Sequence, residues 1–255
     1  MKLVWEETFK IRFHDTDIHS NCRIQELFSF LSETCWEHAN QLGLGYDFMQ
    51  PKGLVWAYAR KRLQVNRYPR WGETVTVKTW PRDYNRLYIH REFQIIDQHN
   101  QPLVNCSAIY FAFDRLNSKA VSTDLLCAQH KNFVLCEKTT EGTLNRIPSY
   151  TSNDLTTYPY VVDFSDLDMH RHVNNVKYVD WILKSLPTAF RKKNLLLQLD
   201  INYFAEARSG DGVHIITSEE VRNIVFRHSI VRNIDNKELV RAETHWKSIQ
   251  DIALN

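Results

Sequence analysis

Glycine and proline are scarce in this chain, seven of each in 255 residues. So few turn-formers exclude a collagen-like or low-complexity polymer and predict long regular elements joined by modest loops. No stretch approaches the ~18 consecutive apolar residues of a bilayer-spanning helix. The opening residues, MKLVWEETFKIRFHD, lack the apolar core of a secretory signal. The expectation is a cytoplasmic protein with no membrane partner. Neither sign of charge dominates: 32 basic against 30 acidic residues leave a net charge of +2, so nothing calls for nucleic acid as a partner. The five cysteines (22, 35, 106, 127 and 136) form no C-x-x-C pair. Their odd number and irregular spacing argue against a disulfide framework and a zinc site, and for reduced thiols. What is present, 43% hydrophobic and 24% charged residues, suits a soluble globular chain of one large or two ordinary domains.

The first positive signal is internal repetition. Residues 13–19, FHDTDIH, and 164–170, FSDLDMH, share the frame Phe-x-Asp-x-Asp-x-His. A helical stretch follows each. In the first half Ile24, Leu27, Phe28, Leu31, Cys35, Ala39 and Leu42 recur at helical spacing, with Gly43 as a stop. In the second, Val173, Val176, Val179, Ile182 and Leu183 form a similar stripe, closed by Pro187. Strand-like runs come next: residues 54–65, 73–80, 86–97 and 103–113, then 195–204, 212–219, 223–232 and 238–246. Gly72-Glu73 matches Gly210-Asp211, and Asn100-Gln101 matches Asn236-Lys237. One helix followed by consecutive antiparallel strands, twice, is an α+β plan: a tandem double hotdog, two antiparallel sheets each wrapped around a long central helix. The expected organisation is a first module over 1–137, a polar linker over 138–158, and a second module over 159–255.

Only the second copy of the frame carries further polar equipment. Asp168, His170 and His172 stand two residues apart, so an extended segment would turn all three to one side. Asn174 and Asn175 follow, where a helix begins. Unpaired amides at the positive end of a helix are suited to a developing oxyanion. A carboxylate, two imidazoles and an oxyanion site fit hydrolysis of a thioester. Its thiol leaving group has a pKa of about 8.5 and departs without a strong general acid. A His-x-His beside an Asp is also ligand-like, but no further Cys or His cluster accompanies it, so no metal and no cofactor are expected.

SDLDMHRHVNNVKYVDWILKSLP, RYPRWGETVTVKTW (residues 67–80) and LDINYFAEA (199–207) strongly resemble the signature blocks of acyl-ACP thioesterases, the plant plastid type and their bacterial relatives. The resemblance runs from about residue 7 to about residue 248. It implies a double hotdog, hydrolysis of acyl-acyl carrier protein to free fatty acid, and catalysis by Asp168, His172 and Glu206. The family pattern has Asn where this chain has His170, and many members carry Cys at the position of Ala207. A cysteine nucleophile at that place is therefore excluded, and direct attack by water is expected. The duties of Asp168, His172 and Glu206 stay undivided. The first half, with Asn21, Arg23 and Tyr68 at the places of His172, Asn174 and Glu206, is expected to hold the acyl chain, with Phe28, Leu31 and Trp56 as candidate contacts. Acyl carrier protein is the implied partner, and a homodimer is left open. Basic runs at Arg60-Lys61-Arg62 with Arg67 and Arg70, and at Arg191-Lys192-Lys193, read as solvated faces or as a landing site for an acidic carrier. An acyl-CoA thioesterase, or a non-catalytic acyl-thioester binder, is the alternative.

Overall fold

The computed structural model describes residues 3–127, 137–150, 155–169 and 171–250. The chain divides into two compact units, Met1–Leu144 and Asn145–Asn255.

In the first unit β1 (Trp5–Lys10) leads to the long helix α1 (Ile24–Gln41). One turn of helix, α2 (Tyr46–Met49), then precedes β2 (Leu54–Val65), β3 (Thr74–Tyr84), β4 (Ile89–Ile96) and β5 (Pro102–Asp114). A short β6 (Lys119–Val121) and α3 (Thr123–Cys127) complete it. All pairings are antiparallel, in the order β1-β3-β4-β5-β2, with β6 on β5. The apolar stripe of α1 is buried at Ile24, Leu27, Phe28 and Leu31, and it continues through two polar residues, Thr34 and His38. Gly43 takes φ +69° after the helix, a conformation open to glycine at little cost.

The second unit repeats the plan. It runs β7 (Leu155–Val161), α4 (Asn175–Lys184), a one-turn α5 (Thr188–Arg191), β8 (Asn194–Tyr203), β9 (Gly212–Val221), β10 (Val225–Arg232) and β11 (Lys237–Ser248). The sheet order is β7-β9-β10-β11-β8, again antiparallel. Its helix is shorter, ten residues against eighteen, and buries Tyr178, Val179, Trp181, Ile182 and Leu183.

The repetition extends to single hydrogen bonds. Asp17 N–H donates to the Asn21 carbonyl, and Asp168 N–H to that of His172. Arg23 N–H reaches the Asp15 carbonyl, and Asn174 N–H that of Asp166. Asn66 and Arg67 N–H share the Leu103 carbonyl, as Phe204 and Ala205 share that of Leu239. These pairs align Tyr68 with Glu206.

The segment after the first unit's last helix is bound to both sheets, each within its own unit. Thr139 donates its N–H and hydroxyl to the Glu92 carboxylate, at 3.1 and 3.0 Å. Arg60 and Arg62 donate to the carbonyls of Leu144 and Glu141, both at 2.7 Å. In the second unit Ile147 N–H donates to Asn202 Oδ1 at 2.8 Å. Residues 138–150 of the expected linker are therefore laid along the sheets: burial of Ile147 and of the Glu92 carboxylate outweighs the segment's polar composition. Arg60 and Arg62 are held in this way and Lys61 is completely buried, so this run is not the solvated face that its sequence suggests.

Candidate active site

The second copy of the repeated frame is a compact loop. Residues 164–166 form a short 3-10 turn, and Leu167 bridges Val173. The first Asp of the frame anchors the loop. Buried Asp166 accepts from the Tyr160 hydroxyl and from Asp163 N–H, both at 2.9 Å, and pairs with Lys177 at 3.4 Å. The second Asp closes a tight turn. Asp168 N–H donates to the His172 carbonyl at 2.8 Å, and Arg171 N–H to that of Asp168 at 2.9 Å. Arg171 sits at φ +62°, the left-handed geometry that lets the chain double back.

This corrects the expectation of an extended segment. Asp168 and His172 meet because they face each other across a turn. The Asp168 carboxylate lies 3.5 Å from His172 N–H. A spacing of two residues reads as a strand, but closing the hydrogen bonds of a loop between Leu167 and Val173 demands a reversal. His170 lies outside the described residues.

Glu206 arrives from the loop after β8. Its Oε2 stands 3.0 Å from His172 Nδ1, with the Glu206 side chain 55% exposed and His172 20% exposed. Two contacts hold that loop. Ala207 N–H donates to the Tyr178 hydroxyl on α4 at 2.9 Å, and Arg232 Nη1 donates to the Glu206 carbonyl at 3.4 Å. Burial raises the pKa of Tyr178 well above that of a free phenol, so the hydroxyl stays protonated. Tyr178, the tyrosine of the run Val-Asn-Asn-x-x-Tyr at 173–178, is a positioning residue, a role that the sequence alone does not assign. Its signal was present: it stands four residues after Asn174, one helical turn into α4.

Asn174 is the N-cap of α4, and its side-chain oxygen accepts from Val176 N–H at 3.0 Å. The carboxamide oxygen is thus committed to the helix, and Asn175 is the first helical residue. In the first unit, the place of His172 is taken by Asn21, and that of Glu206 by the buried ring of Tyr68. Of the candidate chain contacts, Phe28 and Leu31 are fully buried on α1. Trp56 packs elsewhere, against a cluster that includes Leu42, Leu44 and Met49, with its indole N–H on the Leu44 carbonyl at 2.9 Å.

One group of side chains in the second unit has ligand-like spacing: Asp200, Glu243 and His245, on paired strands β8 and β11. Arg227 donates to Glu243 at 2.8 Å, and His245 lies 2.9 Å from the same carboxylate. These two contacts hold Glu243 down at about 2. A guanidinium on a carboxylate repels a metal cation, so the group reads as an ion-pair ladder.

Two sheets, each with a helix on one face, in one chain define a tandem hotdog. The comparisons place it more closely. The model of the acyl-ACP thioesterase N-terminal domain matches residues 2–126, and that of the C-terminal domain matches residues 150–248. The chain belongs to the acyl-ACP thioesterase family. It is 27% identical over 260 residues to an acyl-[acyl-carrier-protein] hydrolase, chloroplastic, of Cuphea viscosissima, covering 96% of this chain and 63% of that protein. It is 26% identical over 268 residues to a palmitoyl-acyl carrier protein thioesterase, chloroplastic, of Arabidopsis thaliana, covering 96% and 64%. The chain thus spans just under two thirds of these relatives' length. Among solved structures, the 12:0-ACP thioesterase from Umbellularia californica superimposes with a TM-score of 0.85 at 22% identity, over 97% of this chain and 98% of that one. An acyl-ACP thioesterase from Bacteroides thetaiotaomicron gives 0.84 at 18% identity, over 96% and 98%. At these identities the structural likeness establishes the fold. Among the described residues, no helix is long and apolar enough to cross a membrane.

Proposed function

We propose that this chain hydrolyses the thioester of acyl-acyl carrier protein to a free fatty acid and the carrier, by direct attack of water. The observation that carries the reading is the contact of 3.0 Å between His172 Nδ1 and Glu206 Oε2, in the unit whose counterpart has neither group. A carboxylate at Nδ1 keeps the N–H on that nitrogen and leaves Nε2 as the basic one. In this reading Nε2 takes the proton of a water as it attacks the thioester carbon, and Glu206 stabilises the imidazolium. Asp168 fixes the turn that presents His172. The Asn175 N–H, at the positive end of α4 where the Val176 amide is already taken by the Asn174 cap, faces the carbonyl oxygen as it gains charge. The protonated imidazole then meets a thiolate leaving group that needs little help. With Ala207 beside Glu206, no thiol stands where a covalent route through that position would require one.

The first unit, with Asn21 and Tyr68 at the places of His172 and Glu206, is assigned to the acyl chain, and the cytoplasm is the proposed site of action. The test compares hydrolysis of one acyl chain carried on acyl carrier protein and on coenzyme A, by wild type, His172→Ala and Glu206→Ala. Carrier-dependent release of fatty acid that falls at least a hundredfold in both variants supports the reading. Faster turnover of the coenzyme A ester would replace the carrier, and saturable binding with no acid released would replace the enzyme.

A further inference from the structure

Lys61 is the side chain of the first unit that its fold explains least. It lies on β2 with 1% of its surface exposed, and its ammonium nitrogen has no hydrogen-bond partner. Three aromatic rings surround it instead: Phe28 of α1 at 4.3 Å, Tyr58 at 4.9 Å and Phe93 at 5.7 Å from Nζ to the ring centre. Strand register places Lys61 and Arg91 on opposite sides of Ala108, which pairs with both. Arg91 is itself buried, beside His38 Nδ1 at 3.0 Å and Thr79 Oγ1 at 3.3 Å. Glu92, the next residue along β4, is engaged elsewhere, by Arg82, Ser107 and Thr139. No ion pair of Lys61 occurs among the described residues. The buried ring of Tyr110 lies beside it, packed on Tyr58 at 4.5 Å.

Removing an ammonium from water is costly, and contact with ring faces returns only part of that cost. A methionine would fill the same volume without it. The ammonium is therefore suited to an oxygen that is absent from the protein itself. The rings offer an apolar sleeve around a hydrogen-bond donor, and the middle strand contributes the small side chains of Cys106 and Ala108 with the ring of Tyr110 beyond them. Such a sleeve fits a hydrocarbon chain that carries one polar group.

We propose that the first unit accepts an acyl chain bearing an oxygen function, a hydroxyl, keto or carboxylate group, on a carbon remote from the thioester, and that Lys61 Nζ donates to that oxygen. The inference rests on the reading that this unit holds the acyl chain of a hydrolysed thioester. It makes Lys61 a determinant of specificity and gives it no part in bond breaking.

The test uses acyl carrier substrates of equal chain length, one ending in a methyl group and others carrying an ω-hydroxyl, an ω-carboxylate or a mid-chain hydroxyl or keto group. Wild type is expected to favour at least one oxygenated chain about ten- to a hundredfold in kcat/KM, the range of a charge-assisted hydrogen bond to a buried donor. Lys61→Met is expected to lose that preference. Wild type that favours the plain chain over every oxygenated one, or Lys61→Met that keeps the preference, overturns the proposal. The wild-type ranking decides alone if the variant does not fold. If no acyl carrier substrate is cleaved, the proposed function fails separately. The binding role is then read from thermal shifts of wild type with the matching free acids. A larger rise with an oxygenated acid supports the role of Lys61, and equal shifts reject it.

Discussion

Replacing Glu92 by Gln tests whether the segment after the first unit's last helix is an integral part of that unit. The Glu92 carboxylate is fully buried and gathers donors on both oxygens. Oε1 accepts from Arg82 at 2.9 Å. Oε2 accepts from the Ser107 hydroxyl and from the N–H and hydroxyl of Thr139, at 3.1 and 3.0 Å. A glutamine keeps the volume but removes the charge and turns an NH2 group toward donors. Each hydrogen bond to a buried charged group contributes about 1.5–3 kcal/mol, and breaking a buried ion pair costs about 3–5 kcal/mol. Part of this is recovered, because Arg82 keeps Asp83 at 2.7 Å and Ser107 keeps the Thr140 hydroxyl at 2.6 Å. The expected loss is about 3 kcal/mol. At roughly 2–4 °C per kcal/mol for a unit of this size, the melting temperature should fall by about 6–12 °C. The assay is thermal melting by circular dichroism, with limited proteolysis to locate the opened segment. Cleavage between residues 137 and 144 should accelerate along with the shift. A melting temperature within about 2 °C of wild type, with unchanged cleavage, would refute the reasoning.

Three further outcomes are expected. Tyr178→Phe removes the acceptor that holds Ala207 N–H, so kcat should fall about tenfold with little change in KM, while the helix packing of the ring is kept. Asp168→Ala loosens the turn that presents His172 and should cut kcat/KM by a similar factor or more in the carrier assay, with the fold intact by circular dichroism. His228 is wholly buried between the hydroxyls of Thr217 and Thr244, each at 2.9 Å, and burial lowers its pKa to about 3. Because the folded value lies below the unfolded one, the unfolded chain binds the extra proton. Stability is retained above pH 6.5 and lost as pH falls from there toward 3, by about 2 kcal/mol at pH 5. An NMR titration should find this imidazole neutral down to about pH 4, and a midpoint near 6.5 would reject the account.

The repeat was legible because it is written in residues that turns demand. Gly72 and Gly210 both take φ near +84°, and Asn100 and Asn236 both take φ above +50°. A side chain that tolerates such backbone is rare, so matched positions reveal matched turns. The strands declared themselves by alternation, and β2 spans the expected residues 54–65. What periodicity hid is polar burial. The stripe of α1 continues through Thr34 and His38, which an apolar count passes over. Lys61 sat inside a basic run, although alternation along β2 puts it in phase with buried Leu63 and Val65. In the candidate site, residue types were readable but not their meeting. His172 and Glu206 are 34 residues apart by number (206 − 172), and the pairing of the sheet, the hydroxyl of Tyr178 and the guanidinium of Arg232 set their contact. The turn at 168–172 was misread as extended because left-handed backbone at an arginine, Arg171, leaves no signature in sequence.

The central claim is that water, activated at His172 and Glu206, attacks the thioester directly. A single turnover of acyl-acyl carrier protein in water labelled with oxygen-18 tests it. Direct attack places one labelled oxygen in every molecule of the released acid. Attack by the Glu206 or Asp168 carboxylate on the thioester, followed by hydrolysis at the enzyme's own carbonyl, would put an unlabelled enzyme oxygen in the first-turnover product, and that result would contradict the account.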